Sequence, residues 1–433
     1  MSARPIAIPA GSVLGVTVGS EAALLVGGPH LAGWARLGLV LLASSAWAFA
    51  SWDDRVDARP HAVVAAIALA LLIAVAVPPR QSRDVWSYAA YGRIVSVHHT
   101  SPYVRPPNDW PRDVLFDRVG EGWAGARSVY GPLFTGASAV VTRAAGDSAL
   151  RIRLAFQGLA ALAAALALAL VWRTTRSARA LVFLGLHPVL VLDAVNNGHN
   201  DVLVGLAVLA AALLAARRRW SIAGVVLGLG LLVKASTGLG LLGVAAWAFR
   251  QDRRGAARLV LAAVVTTLIG YLPAGAAGIR AVGHAGNGNT RASVWDTISL
   301  ALHTPTTLAL GSALVLALVG AVIYGRTRPA APTAVATTAA YLVGGAYVLP
   351  SYALWALPSA ALQARSKLST LVALQAAFLV AVYEFEPAAH PMLTGFAAVG
   401  RTVIVEMAAW TAVVLYILLL VRARRQALAP ARA

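Results

Sequence analysis

The chain has 433 residues, 59% of them hydrophobic and only 12% charged, with a net charge of +19 and no cysteine. Soluble domains carry about 25% charged residues, so this chain lacks the charge to cover a water-facing surface. The missing cysteine excludes disulfides, thiol catalysis and thiolate metal sites.

Apolar runs of ~17–25 residues, each able to cross a bilayer core of ~30 Å, recur along the whole length. They are continuous in Ala, Leu and Val rather than alternating, which predicts helices and not a barrel. The opening Met1–Ser12 lacks the charged start and cleavage site of a signal peptide, so the first run is expected to stay as a span. Spans are predicted near 10–29, 33–51, 62–78, 151–172, 180–195, 201–216, 221–233, 236–249, 259–277, 303–325, 331–349, 352–364, 368–383 and 400–421. The expected class is an all-α integral membrane protein, a polytopic bundle of about fourteen transmembrane helices (twelve to fourteen). Its short basic clusters, such as Arg217–Arg219, Arg253–Arg254 and Arg422–Arg425, fall between apolar runs. That placement reads as cytoplasmic loops and lipid headgroup contacts, not nucleic-acid binding. Both termini are then expected on the cytoplasmic side of the membrane.

Four polar stretches fall on the other side: a long extracytoplasmic loop at 79–150, the turn Asn196–Asp201, the segment 278–297, and Glu384–His390. Lys234 is read as the one ionisable residue well inside an apolar run, and it too reaches the outer side. Polar groups at membrane depth are costly and face cavities, so these segments are expected to converge on one outward-facing cavity.

In the long loop, Tyr88, Tyr91 and Val95 stand at helical spacing and predict an amphipathic helix in the interface. Asp84 opens it. Its carboxylate either caps the helix or acts as a general base, with desolvation at the membrane boundary raising its pKa. Val104–Pro111, with three prolines, predicts a rigid extended connector. Gly131-Pro132 begins a helix, read as a half-helix over 131–143. His199, Asn200 and Asp201 form either a capped turn or a set that binds a polar head. One His and one Asp are too few for a metal site. Lys234 either snorkels to the interface or neutralises a buried phosphate, and Arg291 invites the same reading. Trp295 and Trp355 either belong to an interfacial belt or stack on a sugar ring. No nucleotide-binding or serine-hydrolase motif has a usable context.

The segments DVWSYAAYGRIV (84–95), SPY (101–103), VYGPLF (129–134), GHNDVLVGL (198–206), LLVK (231–234) and YVLPSYALWALP (347–358) occur in order. Together they resemble the actinobacterial polyprenol-phosphate-mannose-dependent α-mannosyltransferases of lipomannan-type biosynthesis, over about 60–420. That resemblance implies a GT-C-like transmembrane catalytic domain over 62–433, with spans outside the motif set over 1–61 and interfacial helices in the 79–150 loop. It implies an inverting, polyprenyl-phosphate-dependent glycosyltransferase acting at the extracytoplasmic face. The donor would be a polyprenyl-phosphate sugar, mannose by the resemblance, and the acceptor a glycolipid or glycan of the cell envelope. Asp84 would be the catalytic base, Lys234 the phosphate clamp, and His199, Asn200 and Asp201 would orient hydroxyls. Tyr88, Arg93, Tyr103, Tyr130, Arg291 and Trp355 would complete the substrate-binding set, and no metal or other cofactor is called for. Two positions depart from the family pattern: Tyr91, where a smaller or polar residue is expected before Gly92, and Val202, where alanine is usual.

Two alternatives stay open. One is a lipid-linked substrate transporter, which would gather its polar residues near the bilayer midplane in related halves. The other is a non-catalytic partner in envelope assembly.

Overall fold

The computed structural model describes residues 9–282, 290, 292–296, 298, 306–384 and 396–428. Among these the regular structure is helical throughout. The chain opens with α1 (Ala10–Gly27), α2 (Gly33–Trp52) and α3 (Pro60–Ala76), then α4 (Asp84–Ser96) and α5 (Pro132–Ala145). There follow α6 (Ala149–Thr175), α7 (Ala178–Gly185) with a π-helical turn at Val189–Val195, α8 (Asp201–Ala216), α9 (Trp220–Leu231) and α10 (Thr237–Gln251). The rest comprises α11 (Arg253–Tyr271), α12 (Gly275–Val282), α13 (Thr306–Thr327), α14 (Ala330–Gly344), α15 (Lys367–Glu384) and α16 (Phe396–Leu428).

Seven helices among the described residues are long and apolar enough to cross a membrane, eight if α7 and the π turn, bent by 43°, form one span. Other expected spans exist as shorter helices, among them the apolar α3, α8 and α9, each of 10–17 residues. The expected span 352–364 is not one helix. It is a 3-10 turn at Pro350–Trp355, a single α turn at Leu357–Ala360 and a 3-10 turn at Ala361–Gln363. Pro350 and Pro358 account for the breaks, because neither supplies a backbone N–H. Most of these residues are fully buried, and irregular backbone at membrane depth is tolerated only inside protein.

Small residues set the helix packing. Gly224 and Gly228 of α9 lie directly against Leu259, Ala263 and Thr266 of α11, the close approach that a glycine pair four residues apart permits. The main core runs through α1–α3, α6–α11 and α13–α16. A second core holds α4 and α5 against α6, built from Tyr88, Tyr91, Tyr130, Phe134 and Phe156.

That second core encloses α4, which is buried on nearly all sides rather than amphipathic with one exposed face. Residues 87–94 are all buried, and α5 lies across Gly92, where a Cβ would collide with the Ser138 backbone. Tyr88 meets Tyr130 and Phe134 edge-on, with ring centroids 4.9 and 4.8 Å apart. α5 begins at Pro132 as expected. Its 14 residues span only about 21 Å at ~1.5 Å each, short of a bilayer core. The proline-rich connector is turned rather than extended: the Ser101 carbonyl accepts from Val104 and Arg105, and Pro107–Asp109 is a 3-10 turn.

Candidate active site

The turn 196–200 and the segment 77–84 are fastened together by amides. Asn196 Nδ2 donates to the carbonyls of Ala74, Val77 and Pro78, and its Oδ1 accepts from Arg80 N–H at 3.1 Å. Asn197 Oδ1 accepts from the N–H of Arg80 and Gln81. Gln157, from α6, donates to Ala74, Val77 and Asn196 carbonyls. Gly198 completes the turn at φ 64°, and a Cβ there would meet Val85 Cγ2 at 2.7 Å. Glycine adopts this conformation at little cost and lets the turn close directly on the start of α4.

His199 is thereby pressed against Asp84. Its Nδ1 lies 3.2 Å from Asp84 Oδ2, off the N–H axis, so the contact is an ion pair more than an aligned hydrogen bond. On the other edge of the ring, Nε2 lies 3.7 Å from Asp193 Oδ1. Tyr88 Oη donates to Asp84 Oδ2 at 3.4 Å. Asp84 is the first residue of α4, after Arg83 at the N-cap, so its charge also suits the positive end of the helix dipole.

Burial works to raise the Asp84 pKa, but the His199 contact and the charges of His199 and Lys234 outweigh it and hold the carboxyl below its ordinary value. This reverses the expectation of a desolvation-raised base. Burial likewise works to lower the His199 pKa, yet Asp193 and Asp84 push it up to about 9. The imidazole is therefore protonated at neutral pH, held between two carboxylates.

A second pair stands nearby. Asp201, at the start of α8, accepts from Lys234 Nζ at 2.7 Å and from Trp355 Nε1 at 2.6 Å. Lys234 also lies over the Tyr352 ring, 4.7 Å from its centroid, and Tyr352 stacks on Trp355 at 4.3 Å. The N-terminus of α5 packs here as well: Gly131 N–H donates to Val233 O, and Leu133 N–H to Leu232 O, each at 3.0 Å.

Asp84, Asp201 and Lys234 line one cavity of about 1190 Å³. Tyr103, Tyr130 and Trp355 line it too, as do Arg127, Arg280, Tyr341, Tyr347 and Tyr352. Leu239, Leu242, Leu310 and Leu314 give it an apolar side. The stretches 79–150, 196–201 and 278–297 all contribute, through Asp84, Asp201 and Arg280. Typical ligand pockets measure roughly 300–1,000 Å³, so this one suits a large amphiphilic substrate.

The other expected site residues are placed differently. Tyr88, His199 and Asn200 are buried behind the wall, and both side-chain polar atoms of Asn200 lack a partner among the described residues. Arg93 does not line the cavity; its guanidinium is held by Asp113 at 2.9 Å and Asp147 at 2.7 Å. Trp295 donates its indole N–H to Gly344 O at 2.9 Å. Arg291 lies outside the described residues, as does most of Glu384–His390, although Glu384 itself pairs with Arg80 at 3.1 Å. No group of three or more His, Asp or Glu that could hold a metal ion occurs among the described residues.

Asp193, Arg127, Arg280 and Tyr352 were not anticipated. Asp193 had a sequence signal, a carboxylate within the apolar run VLVLDAV. Together with buried Glu21, it shows that Lys234 is not the only ionisable residue inside an apolar stretch.

Neither the curated proteins nor the solved structures gave a match to this chain. A family model described as alpha-(1->6)-mannopyranosyltransferase, N-terminal domain, matches residues 11–250, a range that includes α1 and α2 and ends just beyond Lys234. More than half of the chain is matched, with Asp84, the His199–Asp201 turn and Lys234 inside the match, so the chain belongs to the alpha-(1->6)-mannopyranosyltransferase family.

Proposed function

We propose that this mannosyltransferase takes mannose from a polyprenyl monophosphate in the membrane and passes it, with inversion, to a hydroxyl of a glycolipid or glycan at the extracytoplasmic face. The observation that carries the reading is the mixed lining of the cavity: the Asp84 carboxylate, the cations Arg127, Lys234 and Arg280, and an apolar side of four leucines. A lipid-linked sugar phosphate has the same division into sugar, anion and hydrocarbon.

The acceptor hydroxyl gives its proton to Asp84 as its oxygen attacks the anomeric carbon from the face opposite the phosphate. The anomeric C–O bond breaks and its electron pair leaves on the polyprenyl phosphate. The released monoester can carry one more negative charge than the donor, so cations fixed beside it favour the transition state. Lys234 is already matched by Asp201. Arg127, exposed and without an ion pair among the described residues, is the better match for the phosphate, with Lys234 holding the wall in place. His199 keeps Asp84 ionised and aimed, and Trp355, spent on Asp201 and Tyr352, positions rather than stacks on sugar.

The test is an incubation of purified protein and a membrane acceptor extract with labelled polyprenyl-phosphate mannose or labelled nucleotide-linked mannose. Transfer from the lipid-linked donor alone is expected. Transfer from the nucleotide donor would overturn the reading. Movement of labelled donor across a vesicle bilayer with no product would assign the chain to transport.

A further inference from the structure

A second, smaller cavity of about 320 Å³ lies at the other end of the bundle. The length of α13 separates the two: Leu314 lines the large cavity, and Tyr324, ten residues on, lines the small one, roughly 15 Å away at ~1.5 Å per residue. The small cavity sits where the end of α13, the end of α16, the broken segment 357–363 and the start of α15 meet.

Its lining is strongly basic. Arg328, Arg365, Lys367 and Arg422 all face it. Arg365 has a carboxylate, Asp54, at 2.6 Å, which it shares with Arg179. Among the described residues Arg328 meets the neutral Gln426 Oε1, at 2.7 Å, and no carboxylate. Lys367 and Arg422 have no carboxylate partner among the described residues. Lys367 is also the first residue of the 18-residue α15, where a cation opposes the helix dipole and an anion would suit it. Ser359 lines the same cavity, is 2% exposed, and its hydroxyl has no hydrogen-bond partner among the described residues. A buried hydroxyl left unmade is costly and marks a place for an acceptor or donor from outside the chain.

Ordinary basic clusters at helix ends need none of this: they lie in open loops, without a cavity or a buried unpartnered hydroxyl. We propose that this cavity binds the phosphate of an anionic membrane lipid headgroup. Basic pockets between helices at a membrane surface recognise such headgroups. A lipid fits better than free phosphate because Val414 and Leu418, both about half exposed, lie at four-residue intervals from Arg422 on one face of α16. Acyl chains can follow that face while the phosphate meets Lys367, Arg328, Arg422 and Ser359.

The experiment is native mass spectrometry of the full chain in neutral detergent, titrated with phosphatidylglycerol or phosphatidylcholine. A first phosphatidylglycerol adduct should form well before any phosphatidylcholine adduct. Lys367→Gln with Arg422→Gln should weaken it by more than about tenfold, the effect of removing two charges at a headgroup. Ser359→Ala, which removes only the hydroxyl, should weaken it by a smaller factor. The control pair Arg253→Gln with Arg254→Gln, another basic cluster, should leave it unchanged, and melting temperatures verify that each variant is folded. Equal loss in the control pair, or no loss in the first pair, overturns the site. Displacement of the lipid by low-millimolar inorganic phosphate would assign the cavity to the free ion and overturn the lipid.

Discussion

His199 Nδ1 stands 3.2 Å from Asp84 Oδ2, and the two residues reach each other only because the turn that carries His199 is closed by a glycine at positive φ. A protonated imidazole therefore sits against the carboxylate proposed to take the acceptor proton. The pairing keeps Asp84 charged, so no fraction of the enzyme waits in the protonated form at neutral pH.

The acid side of the pH–rate profile follows from that pairing. As the proposed base, Asp84 must be ionised, and its pKa is held below the ordinary carboxylate value. Activity should fall only when pH drops through that depressed value. Removing the His199 charge by His199→Gln raises the Asp84 pKa, so the acid limb of kcat/KM should move to higher pH. An unmoved limb in the variant would break the link between the two residues.

The alkaline side shows in stability. The His199 pKa is about 9 in the folded chain against roughly 6.5 when unperturbed. A raised pKa stabilises the fold while the group is protonated. That contribution is complete below roughly pH 6.5 and is lost as pH rises through about 9, at most on the order of 3 kcal/mol. Thermal unfolding followed from pH 6 to pH 10 should show the decline in the native chain and a flatter curve in His199→Gln.

Gly198 is the hinge of this geometry. Gly198→Ala places an L side chain at φ 64°, where its Cβ meets Val85. The conformation alone costs about 1–2 kcal/mol, and relief of the contact pushes His199 off Asp84. The variant should unfold at lower temperature and lose activity out of proportion to its folded fraction. Native activity in a folded Gly198→Ala would show that the turn tolerates displacement.

The pair Lys234–Asp201 is structural in its energetics even where it borders substrate. Asp201 is 1% exposed, and removing Lys234 leaves its charge buried with only the Trp355 N–H. Breaking such a pair costs about 3–5 kcal/mol. Lys234→Ala should therefore be far less stable, and Lys234→Met with Asp201→Asn should recover much of the loss. A double-mutant cycle in thermal unfolding reads the coupling directly.

The helices were legible because lipid leaves the chain so few options: long Ala/Leu/Val runs with Arg clusters between them must be helical. The breaks were not. Pro350 to Gln363 is as apolar as its neighbours, and composition does not reveal that it is mostly buried within the protein and free to be irregular. Asp84 could be singled out because its sequence neighbours form a motif. Asp193 stands out in sequence only as a carboxylate within an apolar run, and its partnership with His199 emerges once the π turn brings the two together. Lys234 was legible as a buried charge, but Asp201, 33 positions away, takes that charge through space. Arg93 shares the motif of Asp84 and yet points to Asp113 and Asp147, because residues nine apart on a helix lie half a turn out of phase.

The most direct measurement is single-turnover mannose transfer from polyprenyl-phosphate mannose by Asp84→Asn, with donor binding measured on the same preparation. Loss of a positioned general base costs about 10²- to 10⁴-fold. The expected result is a loss of that size in the chemical step with donor affinity and melting temperature close to native. Transfer at the native rate by a folded Asp84→Asn would contradict the assignment of Asp84 as the base.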